Sequence, residues 1–490
     1  MSQVTPGVIL LIIAIYFAIL ILIARYSSRN ADNQTFFLAN RNSPWLLVAI
    51  GMIGASLSGV TFISIPGVVG GDGYNMDFSY MQMVFGYLVG YFVIATVLMP
   101  IYYRLNLTSI YGYLEERLGF NAYKTGAFYF LLSRTIQGSF RLFLVAIVLQ
   151  KFVMDALGVP FFLTVLFTII LIWVYTYKGG IKTIVITDTL QTVCMLAAVT
   201  FTIWYIGKEL DLGGIGGIID TVKQSEFSKM WFFEGGWNDP NNFFKQFSSG
   251  ALIAVVMTGL DQDMMQKNLT CKTLGDAQKN MFTFSVILII ANILFLSLGA
   301  LLYIYASSKG IDLPARTDQV YPTIALDYLP PVVGIFFILG LIAAAYSSAD
   351  SALTSLTTAF CIDFLNFEKS DKSEAEKRKT RLKVHIGFSI LILIIIIIFN
   401  ALNNDAVINS LFKAAGYTYG PILGLFAFGI LTRRKVMNKG VIWVAVLAPI
   451  FTYILDSNSQ EWFNGFQFGF TNLALNGFLT FLGLYFISRK

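Results

Sequence analysis

Apolar stretches of about 18 or more residues recur along almost the whole chain, and they constrain its fold more than any other feature. Hydrocarbon offers the backbone no hydrogen-bond partners, so a stretch of that length crosses a bilayer as a helix. Thirteen such stretches are read, at about 7–25, 45–70, 77–102, 122–153, 159–177, 183–207, 243–266, 278–307, 331–364, 384–400, 406–431, 438–455 and 469–487. With 490 residues, 56% of them hydrophobic and 13% charged, the composition is far from that of a soluble domain. An all-α integral membrane protein is expected. The stretches 122–153 and 331–364 exceed what one crossing needs, which leaves room for tilt, a kink or an extension beyond the bilayer. The first stretch has neither a basic leader nor a small-residue cleavage site, so it is expected to be retained. The three cysteines, Cys194, Cys271 and Cys361, are scattered and show no disulfide framework or metal spacing.

Basic residues fall on alternate connections. With the N-terminus outside, the inner connections hold Arg25, Arg29 and Arg41; Arg104, Arg117 and Lys124; Lys178 and Lys182; and Lys267, Lys272 and Lys279. They also hold the run from Lys369 to Lys383, Arg433 to Lys439, and Arg489 with Lys490, in all about 24 of the 34 Lys and Arg residues. That bias predicts an outside N-terminus and an inside C-terminus. It also accounts for the net charge of +6, which therefore points to no nucleic-acid partner.

Against this apolar background one polar cluster stands out, Ser347-Ser348-Ala-Asp350-Ser351, within the stretch 331–364. A carboxylate and three hydroxyls at that depth cost free energy unless satisfied, so they mark a site by default. On a helix Ser347, Asp350 and Ser351 share one face. Small oxygen ligands with a single negative charge suit a weakly held monovalent cation better than calcium or zinc. Serines alone also serve close helix packing, their hydroxyls bonded to the carbonyl four residues back. That reading leaves Asp350 unexplained.

Three further segments are polar at membrane depth. Gly51 to Thr61 carries Gly54, Ser56, Ser58 and Gly59 ahead of Pro66, a poor helix-forming run that predicts a local unwinding lined by freed carbonyls. Arg134 and Arg141 fall on one stripe of 122–153. An arginine inside a bundle needs a carboxylate, from a solute or from Asp77, Asp261 or Asp263. The third segment, Thr258-Gly-Leu-Asp261-Gln262-Asp263, closes the stretch 243–266. The 208–242 connection, with Trp231 and Trp237, reads as a lid or interfacial anchor. Residues 369–383 read as a solvated charge run, with His385 at its membrane edge.

Several motifs are more specific. Arg104 and Thr108, followed by Tyr113-Leu-Glu-Glu-Arg117-Leu, resemble the "R…T…EYLExRF" signature of the sodium:solute symporter family, with Gly112 where the family has an acidic residue. Tyr175-Thr-Tyr-Lys178-Gly179-Gly180, continued by Thr187-Asp188 and Gln191, is similar to that family's "YTxxGGxxAVxxTDxxQ" segment. Gly420-Pro421-Ile-Leu-Gly424 resembles its "GPxLG". The motifs span most of residues 45–430. The resemblance implies the leucine-transporter type of five-plus-five inverted repeat. Residues 1–44 would be a peripheral helix and loop, 45–242 and 243–432 the two halves, and 433–490 two peripheral helices.

The resemblance also implies a sodium-coupled symporter working by alternating access, in the inner or plasma membrane, functional as a monomer in the lipid bilayer. It implies a main sodium site at Gly54, Leu57, Ala344, Ser347 and Ser348, and a second at Asp188, Asp350 and Ser351. Asp350 stands where relatives carry serine, so proton coupling is an alternative there. Asp188 has its own alternative, a helix-end pair with Lys182. Solute contacts are implied at Ser56, Ser58, Thr61, Arg141, Asp261 and Gln262, with no catalytic residue and no organic cofactor. Arg141 favours a carboxylate-bearing small molecule such as a sialic acid, an amino acid or a short organic acid. Asp261 favours a sugar, a polyol or a zwitterion. An intramembrane enzyme would need a nucleophile with a base or a metal set, and one histidine offers neither. A sensor or channel is the remaining class, and a fused kinase is not expected in a chain ending at Lys490.

Overall fold

The structure, a computed structural model, describes residues 5–28, 32–176, 180–402 and 407–489. Arg29, Tyr177, Lys178, Gly179, Ala406 and Lys490 lie outside the described residues. The helices follow the apolar stretches within a few residues, except that the helix of the stretch 384–400 already starts at Glu374, inside the charge run. They are α1 (Pro6–Ser27), α2 (Trp45–Ser56), α3 (Gly59–Val68), α4 (Tyr80–Arg104), α5 (Phe120–Leu157), α6 (Phe161–Thr176), α7 (Ile181–Glu209), α8 (Phe243–Gly259) and α9 (Gln262–Asn268). After these come α10 (Leu274–Lys309), α11 (Pro331–Phe364), α12 (Glu374–Leu402), α13 (Val407–Leu431), α14 (Gly440–Ser457) and α15 (Asn472–Phe486). The all-α expectation holds apart from a two-residue antiparallel pairing of Lys435–Val436 with Ser488–Arg489.

Among the described residues, eight helices are long and apolar enough to cross a bilayer, or eleven when each sharply bent pair counts as one span. The thirteen stretches of the sequence also include α6 apart from α5, and α15, which have only 16 and 15 residues. At about 1.5 Å per residue these fall short of the roughly 30 Å of hydrocarbon.

The bends lie where the sequence is weakest as helix. α2 and α3 meet at 54°, and α8 and α9 at 67°. The first break is confined to Leu57 and Ser58, narrower than the unwinding expected over residues 51–61. Gly51 and Gly54 remain helical and serve another purpose. A Cβ on Gly51 would lie 3.2 Å from the Asp188 Cβ, and one on Gly54 2.5 Å from the Thr192 Oγ1, so bare backbone lets α2 lie directly on α7. Thr189 and Thr192 of α7 then donate to the carbonyls of Leu47 and Ile50 at 3.2 and 2.9 Å. At the second break Asp261 caps α9, accepting from the backbone of Asp263 at 2.8 Å. The carbonyls freed there, those of Gly259 and Leu260, accept from the Tyr102 and Tyr111 hydroxyls at 2.9 Å each.

Around these bent pairs α7 packs along α11 and α2, α11 and α13 pack on α5, and α4 lies along α8. α13 also packs on α15. In α11, 78% of the most apolar window is buried, against 22% in α12 and α14, which marks α11 as the central helix and the other two as peripheral. The 208–242 connection is anchored by Asn241. Its side chain accepts from the Asn75 backbone at 2.9 Å and donates to the Gly73 carbonyl at 2.7 Å. Trp231 stacks on Phe85 of α4.

The short helix Gly112–Leu118 is tied to the bundle: ahead of it Ser109 donates to Asp363 at 2.9 Å, and Arg117 donates to the Thr432 and Arg434 carbonyls past the end of α13. Two sequence expectations change in detail. His385 is buried rather than interfacial, its Nδ1 2.9 Å from the Thr357 hydroxyl. Lys267, counted above among the charges of the inner connections, is buried at 1% exposure.

Candidate functional site

The cation candidates converge where α2, α7 and α11 meet. A Cβ on Gly54 would lie 3.1 Å from the Ser347 Oγ and 3.3 Å from the Asp188 carbonyl oxygen, which puts the end of α2, the α11 hydroxyls and the Asp188 turn of α7 in one place. Leu57 follows as the first residue out of the helix, and Ala344, Ser347 and Ser348 are buried on α11. The two serines differ. Ser348 donates back to the Ala344 carbonyl at 3.1 Å, as a packing serine would, whereas the Ser347 hydroxyl is buried beside the Asp188 carboxylate without a well-formed hydrogen bond.

One turn further along α11, the Asp350 Oδ2 accepts from the Tyr175 hydroxyl at 2.7 Å, while its Oδ1 and the Ser351 hydroxyl are buried and unbonded. Asp188 accepts on Oδ2 from the Lys267 ammonium at 2.6 Å and keeps Oδ1 unbonded. The helix-end pair with Lys182 is therefore not formed. Four orphaned oxygens, those of Ser347, Asp350, Ser351 and Asp188, thus lie on two adjoining helices. Buried acceptors without donors are costly, and a small cation satisfies several at once. Among the described residues no group of three or more His, Cys, Asp or Glu could hold a metal ion.

A cavity of about 70 Å³ adjoins the first break. Ser56, Ser58, Thr61 and Arg141 all line it, together with Arg134, Asn292 and the α4 tyrosines Tyr80, Tyr87 and Tyr91. Asp261 and Gln262 do not. Asp261 is held as the α9 cap and accepts from the Tyr419 hydroxyl, while Gln262 accepts from the Ile110 backbone at 2.9 Å and donates to the Thr108 carbonyl at 2.7 Å. Both keep the second break in shape.

The two arginines of α5 also part company. Arg134 forms an ion pair with Asp263, both nearly unexposed. Arg141 pairs with none of Asp77, Asp261 or Asp263; its Nη1 donates to the Ala55 carbonyl at 3.2 Å and its Nε has no partner. The cavity wall therefore presents one guanidinium without a carboxylate. Sequence reasoning missed Lys267, Tyr175 and Tyr419. Lys267 follows Gln262 by five residues in a helix that reads as leaving the membrane, and no local spacing reveals that it turns back on Asp188.

Known proteins match this chain in sequence and in fold. The chain is 24% identical over 484 residues to a sodium/sialic acid symporter of Aliivibrio fischeri, covering 93% of this chain and 89% of that one. It is 26% identical over 444 residues to a sodium/sialic acid symporter of Proteus mirabilis, covering 88% and 86%. The fold matches that of a sodium-coupled sialic acid symporter solved in a substrate-bound outward-open state, with a TM-score of 0.82, 20% identity and 98% of each chain covered. The model of the sodium:solute symporter family matches residues 36–447. The chain is a multi-pass membrane transporter, not an enzyme, and it belongs to the sodium:solute symporter family.

Proposed function

We propose that this transporter imports a small carboxylate-bearing solute together with sodium, and that a sialic acid is the first candidate. The observation that carries this reading is Arg141, a buried guanidinium without a carboxylate in a cavity wall that also offers several hydroxyls. Such a group is satisfied best by a carboxylate that arrives with the solute. The similarity to sodium/sialic acid symporters points the same way. The tyrosines and Asn292 favour hydroxyl-bearing solutes as well, which keeps a sugar or polyol as the second reading.

Sodium sits, in this reading, among the Gly54 and Leu57 carbonyls, the Ala344 carbonyl and the Ser347 and Ser348 hydroxyls. A second cation takes Asp188, Asp350 and Ser351. Ser56, Ser58, Thr61 and Arg141 contact the solute, and Asp261 and Gln262 join them only if their present ties part. A cavity of about 70 Å³ is small beside the roughly 300–1,000 Å³ of ordinary ligand pockets, so the bundle opens to admit a sugar acid. The coupling ion must bind one state better than the other for that opening to be driven.

The frame is the inverted repeat, 45–242 against 243–432, supported by a bent first helix and a long third helix in each half. Thirteen spans, with the short α6 and α15 crossing by local thinning of the bilayer, an outside N-terminus, an inner or plasma membrane location and a functional monomer complete it. The test is uptake of N-acetylneuraminate into proteoliposomes under an inward sodium gradient. Saturable uptake that an equal potassium gradient does not drive supports the proposal. Uptake of neutral sugars alone favours the second reading, and non-saturating flux indicates a channel.

A further inference from the structure

Arg141 lines the proposed solute cavity and bonds to the end of α2 beside the proposed sodium ligands, and this inference rests on the reading just given. Its Nη1 donates to the carbonyl of Ala55, which stands between Gly54 and Leu57, the residues whose carbonyls would hold sodium. The end of α2 carries the negative pole of that helix, the field a cation there would use. Arg141 is 7% exposed, so water screens it little. A fixed positive charge already occupies that field.

We propose that Arg141 is the coupling residue of this transporter. Its charge opposes sodium at the end of α2 until a solute carboxylate neutralises it. With the carboxylate in place, the guanidinium no longer competes for the carbonyl end and sodium binds more tightly. By linkage, sodium raises solute affinity by the same factor. The sign is specific: a residue that merely shapes the cavity would leave sodium affinity unchanged in the absence of solute, whereas a competing charge weakens it.

The experiment is a sodium titration of the purified full-length protein at constant ionic strength, followed by thermal stability, with and without N-acetylneuraminate. It compares the wild type with Arg141→Met and Arg141→Lys. Without solute, Arg141→Met is expected to bind sodium about tenfold more tightly than the wild type, and Arg141→Lys, which keeps the charge, to stay close to it. N-acetylneuraminate should tighten sodium binding in the wild type and leave Arg141→Met unaffected. Equal or weaker sodium binding by Arg141→Met overturns the proposal, as does a sodium response missing from all three proteins, which also removes the cation site. If Arg141→Met binds sodium more tightly but N-acetylneuraminate changes nothing in the wild type, the competing charge is upheld and it is the solute assignment that fails.

Discussion

Replacing Asp263 by alanine is expected to destabilise the protein by about 3–5 kcal/mol, because it leaves the Arg134 guanidinium charged and unpaired at 2% exposure. The pair ties the first turn of α9 to α5, beside the cavity that Arg134 lines. Its contribution is mostly the penalty for breaking it. Changing both residues to apolar ones of similar size, Arg134→Met with Asp263→Leu, is expected to recover most of the loss, since burying two charges offsets much of their attraction. Thermal unfolding of the single and double variants in detergent checks this. A double variant as unstable as Asp263→Ala would show that the two charges are worth more together than their desolvation costs.

Lys267→Met should be comparably damaging, about 3–5 kcal/mol in sodium-free buffer, because Asp188 would lose the ammonium that pairs with it while remaining unexposed. Here the loss should depend on sodium. Asp188, Asp350 and Ser351 keep orphaned oxygens, and a cation among them supplies the positive charge that the ammonium no longer gives. Sodium should therefore stabilise Lys267→Met more than it stabilises the wild type, and Lys267→Arg should behave like the wild type. Equal stabilisation of all three by sodium would separate Asp188 from the cation site.

These two pairs mark the limit of what the sequence shows. Hydropathy locates the helices because each apolar stretch is long enough to need only its own backbone hydrogen bonds. The polar clusters are equally legible, since Ser347, Asp350, Asp188 and Arg141 are conspicuous where the surroundings are apolar. Partner choice is not legible. Arg134 and Arg141 sit two turns apart on one stripe, and only the placement of α9 decides that Asp263 meets the former and leaves the latter free. Lys267 reads as a loop charge because its helix starts anew at Asp261, at 67° to α8, and that angle redirects it inward.

The glycines teach the complementary lesson. Gly51 and Gly54 read as helix breakers but act as a contact surface, bringing α2 against α7. Gly420 and Gly424, conspicuous as a motif, do the same for α13, where added Cβ atoms would meet Asn476 and Thr480 of α15 at 2.2 and 2.4 Å. Small residues signal an unusual backbone requirement, and composition alone does not say whether that requirement is a bend or a close approach.

The proposed sodium site lies where the end of α2 meets the Ser347 hydroxyl. The most direct test is the sodium-dependent thermal stability of purified Ser347→Ala against the wild type, titrated in sodium chloride with potassium chloride making up constant ionic strength. A ligand that binds only the folded protein must raise its stability. A sodium-dependent rise is expected in the wild type, shifting to at least tenfold higher sodium in Ser347→Ala, a loss of about 1.4 kcal/mol or more of ion binding. An unchanged sodium response in Ser347→Ala, with the protein folded, would contradict that site.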